Sequence, residues 1–397
     1  MCIEQKWSEI NDDILQTITE FLKTYSDYIR VRSVCRTWRK MLPHFPQHRL
    51  PTQLPWLLLS SSSSSSSSTS AVFRCAFYYF PTAKTYTLHV PEASYPRRIV
   101  GSSHGFLVLV GDSPDIFCFN PLTKFKAFLA PLSTLPGVVS FSFSNVGREY
   151  SIQDPSFQNV YTLDLRQICD VFLSKVILSS SPTKDASLAI AIISWSSTTE
   201  LAYCKCGDSS WKSFPFGNFS AQDVIYCPSK ELFYAVNQIG DVAFFSPPNT
   251  PEIIRNVDTI EGDLKYLVKS NGELLLVSRY LEAEADLVSY SEVYQTTGFR
   301  VYKFNDAGEG RVHWEPMTDL GDQMVFIGNN LSLSLSASDF EGCKGNCIYY
   351  ADDHSEKADA GVYDLSNDCI EALPCYPHDG SSPLSLAPPV WFTSNPC

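Results

Sequence analysis

Charge is scarce in this chain: Asp, Glu, Lys and Arg together supply only 18% of its 397 residues. Long hydrophobic runs are missing too, since no stretch approaches the roughly 18–20 apolar residues of a spanning helix. With 44% apolar residues and 13% aromatics, the composition favours a large β-rich core over a coiled coil or a disordered scaffold. The opening residues, with Cys2, Glu4, Lys6 and Trp7, lack the basic start and apolar run of a signal peptide. The expectation is a soluble protein of the cytoplasm and/or nucleus, and no clear basic import cluster separates the two. Basic charge is also in deficit. The net charge is −13, with about +1 in residues 1–45 and about −14 in the rest. An acidic body argues against nucleic acid and anionic membrane as partners.

What is present falls into two textures. Asn11 is suited to cap a helix, with Asp12 and Asp13 in its first turn, and Ile14, Leu15, Ile18, Phe21 and Leu22 follow at helical spacing. Lys23 to Ser26 breaks the pattern. Ser26 or Asp27 is the expected cap of a second helical segment, in which Tyr28, Val31, Cys35, Trp38 and Leu42 recur at steps of three and four. Pro43 and Pro46 end it. About 35 residues bury too little core to stand alone, so this unit is expected to dock on something.

Residues 46–70 read as a linker running into an unbroken serine tract, Ser60 to Ser68, expected to be a flexible loop; a first strand is expected over 55–60. From about residue 71 to 397 the texture is β throughout, with only Asn159 to Leu178 ambiguous between strand and helix. Internal repetition sets the expected architecture. Phe106–Pro121 (FLVLVGDSPDIFCFNP) and Leu232–Pro247 (LFYAVNQIGDVAFFSP) share one length and one order of strand, polar turn, strand and proline. Leu274 to Phe304 repeats the idea with an acidic loop (Glu282, Glu284, Asp286), and Cys347 to Leu365 repeats it again. Hairpins recurring at intervals of tens of residues predict a β-propeller, and roughly 340 residues at about 40–50 per blade allow six or seven blades. The bland alternative is a pair of β-sandwiches, which would not require matched hairpins.

The head of the chain resembles an F-box. Its opening, Ile10–Asn11–Asp12–Asp13–Ile14–Leu15–Gln16–Thr17–Ile18, follows the family pattern except that Asn11 stands where the family usually has proline. Its end, Arg32–Ser33–Val34–Cys35–Arg36–Thr37–Trp38–Arg39, follows it closely. The body resembles the β-propeller of plant F-box proteins of the KIB type. That likeness rests on Ser102–Ser103–His104–Gly105–Phe106 with Asn120–Pro121, on Leu201–Ala202–Tyr203–Cys204 with Trp211, and on Gly342 to Tyr350 with Gly361–Val362–Tyr363–Asp364–Leu365 and Trp391. The resemblance implies a non-catalytic substrate receptor of an SCF-type cullin ubiquitin ligase. The F-box would bind a Skp-family adaptor, and through it a cullin, while the propeller would hold a protein substrate. Ile10, Ile14, Leu15, Ile18, Val31, Val34, Cys35 and Trp38 would form the adaptor surface, some of them instead holding the helices together. The alternative is a propeller interaction protein with a degenerate F-box and no ligase role.

No catalytic, cofactor or metal residue is nominated. GxSxG, HExxH and phosphate-loop patterns do not occur. Cys204 and Cys206 with Cys227, or Cys343 with Cys347, lack the paired spacings and the nearby histidines of a zinc site. The thirteen cysteines are expected to be free, mostly buried thiols. Asp352, Asp353 and His354 read as a solvated loop, and His104 as a turn residue. The sequons at Asn218 and Asn330 are expected to carry no sugar. Residues 282–297 and 352–360 are the candidate substrate-binding rim.

Overall fold

The computed structural model describes residues 7, 10–22, 24–43, 46, 53–61, 74–93, 97–154, 159–183, 187–195, 198–286, 291–352, 359–373, 375 and 389–394. The serine tract from residue 62 and the cluster at 353–354 lie outside them. Among the described residues no helix is long and apolar enough to cross a membrane.

The body is a β-propeller. Six blades stand radially around one axis, the fourth and fifth joined into one eight-stranded sheet by a short parallel pairing of Arg255–Asn256 with Arg311–Val312. Blade I pairs Val390–Thr393 with Pro55–Ser61, followed outward by Arg74–Tyr79 and Lys84–His89. Blade II runs Arg98–Ser103, Phe106–Val110, Phe117–Phe119, Lys126–Phe128, and blade III runs Leu173–Leu178, Leu188–Ser194, Thr199–Lys205, Lys212–Ser213. Blade IV is Ala221–Cys227, Leu232–Asn237, Val242–Phe245, Glu252–Asn256, and blade V is Leu264–Ser270, Glu273–Asp286, Ser291–Gly308, Arg311–Met317. Blade VI has Leu331–Ser336 innermost, then Gln323–Gly328, Cys347–Asp352, Asp359–Asp364 and Cys369–Ala372, with one parallel pairing between its second and third strands. A separate three-stranded sheet (Val138–Phe141, Tyr150–Gln153, Val160–Leu163) is inserted between blades II and III and packs Tyr150 and Ile152 into their shared core.

The blade number follows from the cores. Six apolar clusters each join two neighbouring blades. Leu58 and Phe77 meet Leu107 and Phe119; Val108 and Cys118 meet Val176 and Ala191; Ile190 and Leu201 meet Val224 and Phe245. Val236 and Val242 meet Leu276 and Trp314; Val277 and Val301 meet Val325 and Ile348; Phe326 and Tyr349 meet Leu57 and Trp391. The sixth cluster returns to blade I, so the described ring closes at six. Phe106–Val110, the second strand of blade II, is buried along its whole length with a core on either face, which is why it is apolar without alternation.

Three buried tryptophans staple adjacent blades. The indole N–H groups of Trp211, Trp314 and Trp391 donate to the carbonyls of Ala130, Gly240 and Ile327 at 2.7, 2.8 and 2.8 Å. Glycine clears the way at two of them. A Cβ on Gly240 would lie 3.2 Å from the Trp314 indole nitrogen, and one on Gly328 would lie 3.2 Å from the Trp391 ring. The matched hairpins of the sequence are the second and third strands of blades II, IV and V. In blade VI the matching hairpin forms the third and fourth positions. His104 and Gly105, at φ 52° and 80°, form the two-residue turn of the blade II hairpin.

Two local expectations change. The described residues of 282–297 are strand and not loop: the strands of blade V run on to Asp286 and restart at Ser291, because the backbone pairing continues through the acidic residues, and 287–290 lie outside the described residues. The second helical segment is two helices. Helix α1 is Asp12–Glu20, capped by Asn11, whose side chain accepts from the Asp13 N–H. Helix α2, Tyr25–Ser33, is capped by Thr24 rather than by Ser26 or Asp27; Thr24 is extended and its Oγ1 accepts from the Asp27 N–H at 3.1 Å. Cys35 is also extended (φ −154°), which ends α2 and starts α3, Arg36–Met41, with Cys35 Sγ accepting from the Trp38 N–H at 3.4 Å.

Candidate functional site

Two surfaces stand out, at opposite ends of the molecule. The first is the helical head. Its small core is Leu15, Tyr25, Tyr28, Trp38 and Leu42, with Trp38 Nε1 donating to the Trp7 carbonyl at 3.0 Å and the Tyr28 hydroxyl to the Pro43 carbonyl at 2.9 Å. Leu15 and Trp38 are therefore interior residues that hold the helices together. Ile10, Ile18, Val31 and Cys35 are half-buried, and Ile14 and Val34 are exposed.

Helix α1 carries two apolar stripes. Leu15, Thr19 and Leu22 turn inward. Ile14, Ile18 and Phe21, at i, i+4 and i+7, lie on a second face about 100° away. Phe21 is 80% exposed and Ile14 54%, joined by Val34 at 61% on the same head. Phe21 is the residue that sequence reading left out of the docking set. Its i+7 spacing from Ile14 was the available signal, but spacing alone does not say which of two stripes faces outward.

The head rests on the propeller through Leu122, which packs against its core. Leu122 lies in the turn between the third and fourth strands of blade II. The inner strand of that blade runs from Arg98 to Ser103, the next returns, and the third runs out again, so this turn sits at the end where inner strands finish.

The second surface is the other end of the channel. A cavity of about 380 Å³ is lined by Arg98, Ser174, Lys175, Gln222, Asp223, Leu264, Lys265 and Gly328, among others. In blades II to V these are the first residues of the inner strands, and Gly328 closes the strand that precedes the inner strand of blade VI. Five of six blades thus meet at one mouth, opposite the head. The blade V ribbon rises on this side. At its base Arg279, only 1% exposed, donates from Nη2 to Asp359 of blade VI at 2.9 Å and from Nε to Thr296 Oγ1 at 2.7 Å, while the Thr296 N–H donates to the same carboxylate at 2.7 Å. The described residues of both stretches nominated as a rim lie at the same end of the propeller as the mouth, with 287–290 and 353–358 outside the described residues.

Inside the mouth Lys175 and Asp223 form a buried pair at 2.5 Å, and Asp223 also accepts from the Val224 and Leu267 N–H groups, each at 2.8 Å. This one carboxylate ties blades III, IV and V together. Replacing it by alanine leaves an unpaired buried ammonium; Asp223→Ala is expected to lower stability by about 3–5 kcal/mol, read from the midpoint of urea unfolding.

The cysteines are structural. The eleven described ones are free, six of them buried. Cys204 and Cys227 sit in different cores, as free thiols apart from one another. Burial pushes the Cys204 thiol up to about 12, which keeps it protonated in its core. Asn330 is 1% exposed and donates to the Trp391 carbonyl at 2.6 Å, so this sequon is out of reach of glycosylation in the fold.

With this geometry in view, the comparisons are consistent across the chain. The KIB1-4 beta-propeller family matches residues 77–364, and the F-box domain matches residues 7–48. The F-box protein SKIP23 of Arabidopsis thaliana is 25% identical over 98% of this chain and 96% of its own length. The putative F-box protein At1g65770 of the same plant is 26% identical, covering 91% and 92%. Among solved structures, the β-propeller domain of Myceliophteria thermophila Cps50 (Swd1) aligns at 7% identity with a TM-score of 0.35, covering 76% and 79%.

Proposed function

We propose that this chain, which belongs to the KIB1-4 β-propeller family and carries an F-box at its head, is the substrate-recognition subunit of an SCF-type cullin ubiquitin ligase of the cytoplasm and/or nucleus. It catalyses no bond change itself. The head binds a Skp-family adaptor, and through it a cullin. The propeller holds a protein substrate.

One observation carries this reading: Ile14, Phe21 and Val34 are left uncovered on the head, at the opposite end of the propeller from the channel mouth. Burying a side chain of this size is worth about 1.5–3 kcal/mol, so three of them with their half-buried neighbours suffice for useful affinity. The head leans on Leu122, so it sits at the end of the propeller away from the mouth that would receive a substrate. The test is capture of a purified Skp-family adaptor by the full chain. Association at micromolar concentration or tighter is expected, and none would leave a propeller interaction protein with a degenerate F-box.

That alternative draws on Asn11. Asn11 holds φ −69° and ψ 145°, a conformation proline adopts without strain, and its side chain supplies only one exposed cap hydrogen bond, at 3.3 Å. Asn11→Pro is expected to tighten adaptor binding, measured by calorimetry, while costing about 1 kcal/mol of head stability through the lost cap. Unchanged or weaker binding would show that the head does not dock in the family's manner.

A further inference from the structure

Lysine and arginine are not shared evenly between the two ends of the propeller. Twelve lysines are among the described residues, and ten of them are exposed or half-buried. Lys40 is on the head, and Lys124 stands two residues after Leu122, in the turn the head rests on. Lys205 ends the third strand of blade III, Lys230 lies in the turn after the inner strand of blade IV, and Lys269 is one residue short of the end of the inner strand of blade V. All three are at the head end. Lys344, bound to Asp364, and Lys303, bound to Glu273 at 2.6 Å, sit toward the same end of blades VI and V. Lys84, Lys126 and Lys212 open outermost strands.

The wall of the mouth has two lysines among the described residues, and both are closed off. Lys175 is buried against Asp223. Lys265 is buried too, and its ammonium donates to the Glu261 and Gly262 carbonyls at 2.7 Å each and to Ser278 Oγ at 2.9 Å, so all three protons are taken. The exposed cations at this end are arginines. Arg166 pairs with Asp170 of the wall, and Arg255 pairs with Asp241, where the third strand of blade IV begins.

The two side chains are alike in charge and unlike in chemistry. A lysine amine that has lost its proton is a nucleophile, whereas a guanidinium keeps its proton in proteins. In ubiquitin transfer the amine attacks the thioester carbonyl of a charged conjugating enzyme. The C–N isopeptide bond forms, the C–S bond breaks, and the proton lost by the amine leaves with the thiol. An enzyme that serves a substrate held at the mouth would meet a receptor lysine there at an effective concentration of about millimolar, as for groups joined by a short tether.

We propose that the mouth end is built without reachable amines, so that ubiquitin delivered there passes to the bound protein and not to the receptor. This rests on the ligase reading given above.

The test is self-modification without substrate, using the full chain, a Skp-family adaptor, a cullin and a ubiquitin-charged conjugating enzyme. Val171→Lys, in the wall, and Ile239→Lys, in the turn before Asp241, each put one amine at the mouth. Their side chains are 60% and 62% exposed, so the fold should be kept. Ser209→Lys, in the exposed turn between Lys205 and Lys212, is the control at the other end. Each mouth variant is expected to be modified at its new lysine at least ten-fold faster than the control is at its own, mapped by peptide mass spectrometry. Circular dichroism and adaptor capture should match the parent in all three. Mouth lysines modified no faster than the control, in chains that capture the adaptor, overturn this inference and leave the docking reading standing. So does parent modification concentrated on Lys357, which lies outside the described residues. A parent chain that captures no adaptor removes the ligase reading, and this inference with it.

Discussion

A chain lacking residues 390–397 is expected not to fold. Val390–Thr393 is the innermost strand of blade I and pairs with Pro55–Ser61, the first strand of the body, with Trp56 opposite Phe392. Its side chains face two cores. Trp391, fully buried, fills the cluster between blades VI and I, while Val390 and Phe392 fill the one between I and II. Removing them forfeits about 1.5–3 kcal/mol per large side chain. The loss also strands Asn330, whose amide bonds the Trp391 backbone at 2.6 and 3.2 Å. The sum is comparable with the roughly 5–15 kcal/mol that holds a whole domain. Circular dichroism and limited proteolysis should report a collapsed, protease-sensitive chain. Trp391→Ala should give a milder version, about 3–5 kcal/mol, with a cooperative transition at lower urea. A truncated chain that unfolds at the parent midpoint would mean the ring closes elsewhere.

The second large effect is on the head. The double variant Ile14→Asp, Phe21→Asp is expected to lower adaptor affinity at least 100-fold without unfolding the protein. Both side chains are exposed, so their replacement costs the free chain about 0.5 kcal/mol or less each. In a complex each carboxylate would be desolvated against apolar surface, and two such penalties of about 2 kcal/mol or more reach that factor. Leu15→Ala tests the other half of the division. Leu15 is fully buried, so this variant should destabilise the head itself, by about 2–5 kcal/mol, and should reduce adaptor capture only through unfolding. Thermal unfolding of both variants beside adaptor titrations separates the cases. Equal affinity in the double variant would place the docking surface elsewhere on the head.

These two experiments probe features of unequal legibility. The helical head could be read because capping residues and 3.6-residue spacing are local properties; Asn11 as a cap and the i, i+3, i+4 recurrence needed no tertiary information. The break at Cys35 was not legible. Cysteine has no strong preference against helix, and what interrupts the helices there is the need to bring Trp38 over Leu15 and Tyr28. Nor was the outward turn of Phe21, since α1 has two apolar stripes of similar strength and only packing decides between them. The cavity was invisible for a related reason. Arg98, Lys175, Gln222 and Lys265 are far apart in the chain and share only the property of starting an inner strand.

By itself the sequence determined a helical head, a β body and a repeated hairpin, because periodicity, turn residues and internal similarity act over a few residues at a time. The tertiary structure alone decided how many blades close the ring and that the last strand completes the first blade. Closure is a pairing between residues more than 300 positions apart, Pro55 with Thr393, and no local preference encodes it. It also put the helical head at one end of the propeller and the channel mouth at the other, since the direction of each strand is fixed only once all six blades share an axis.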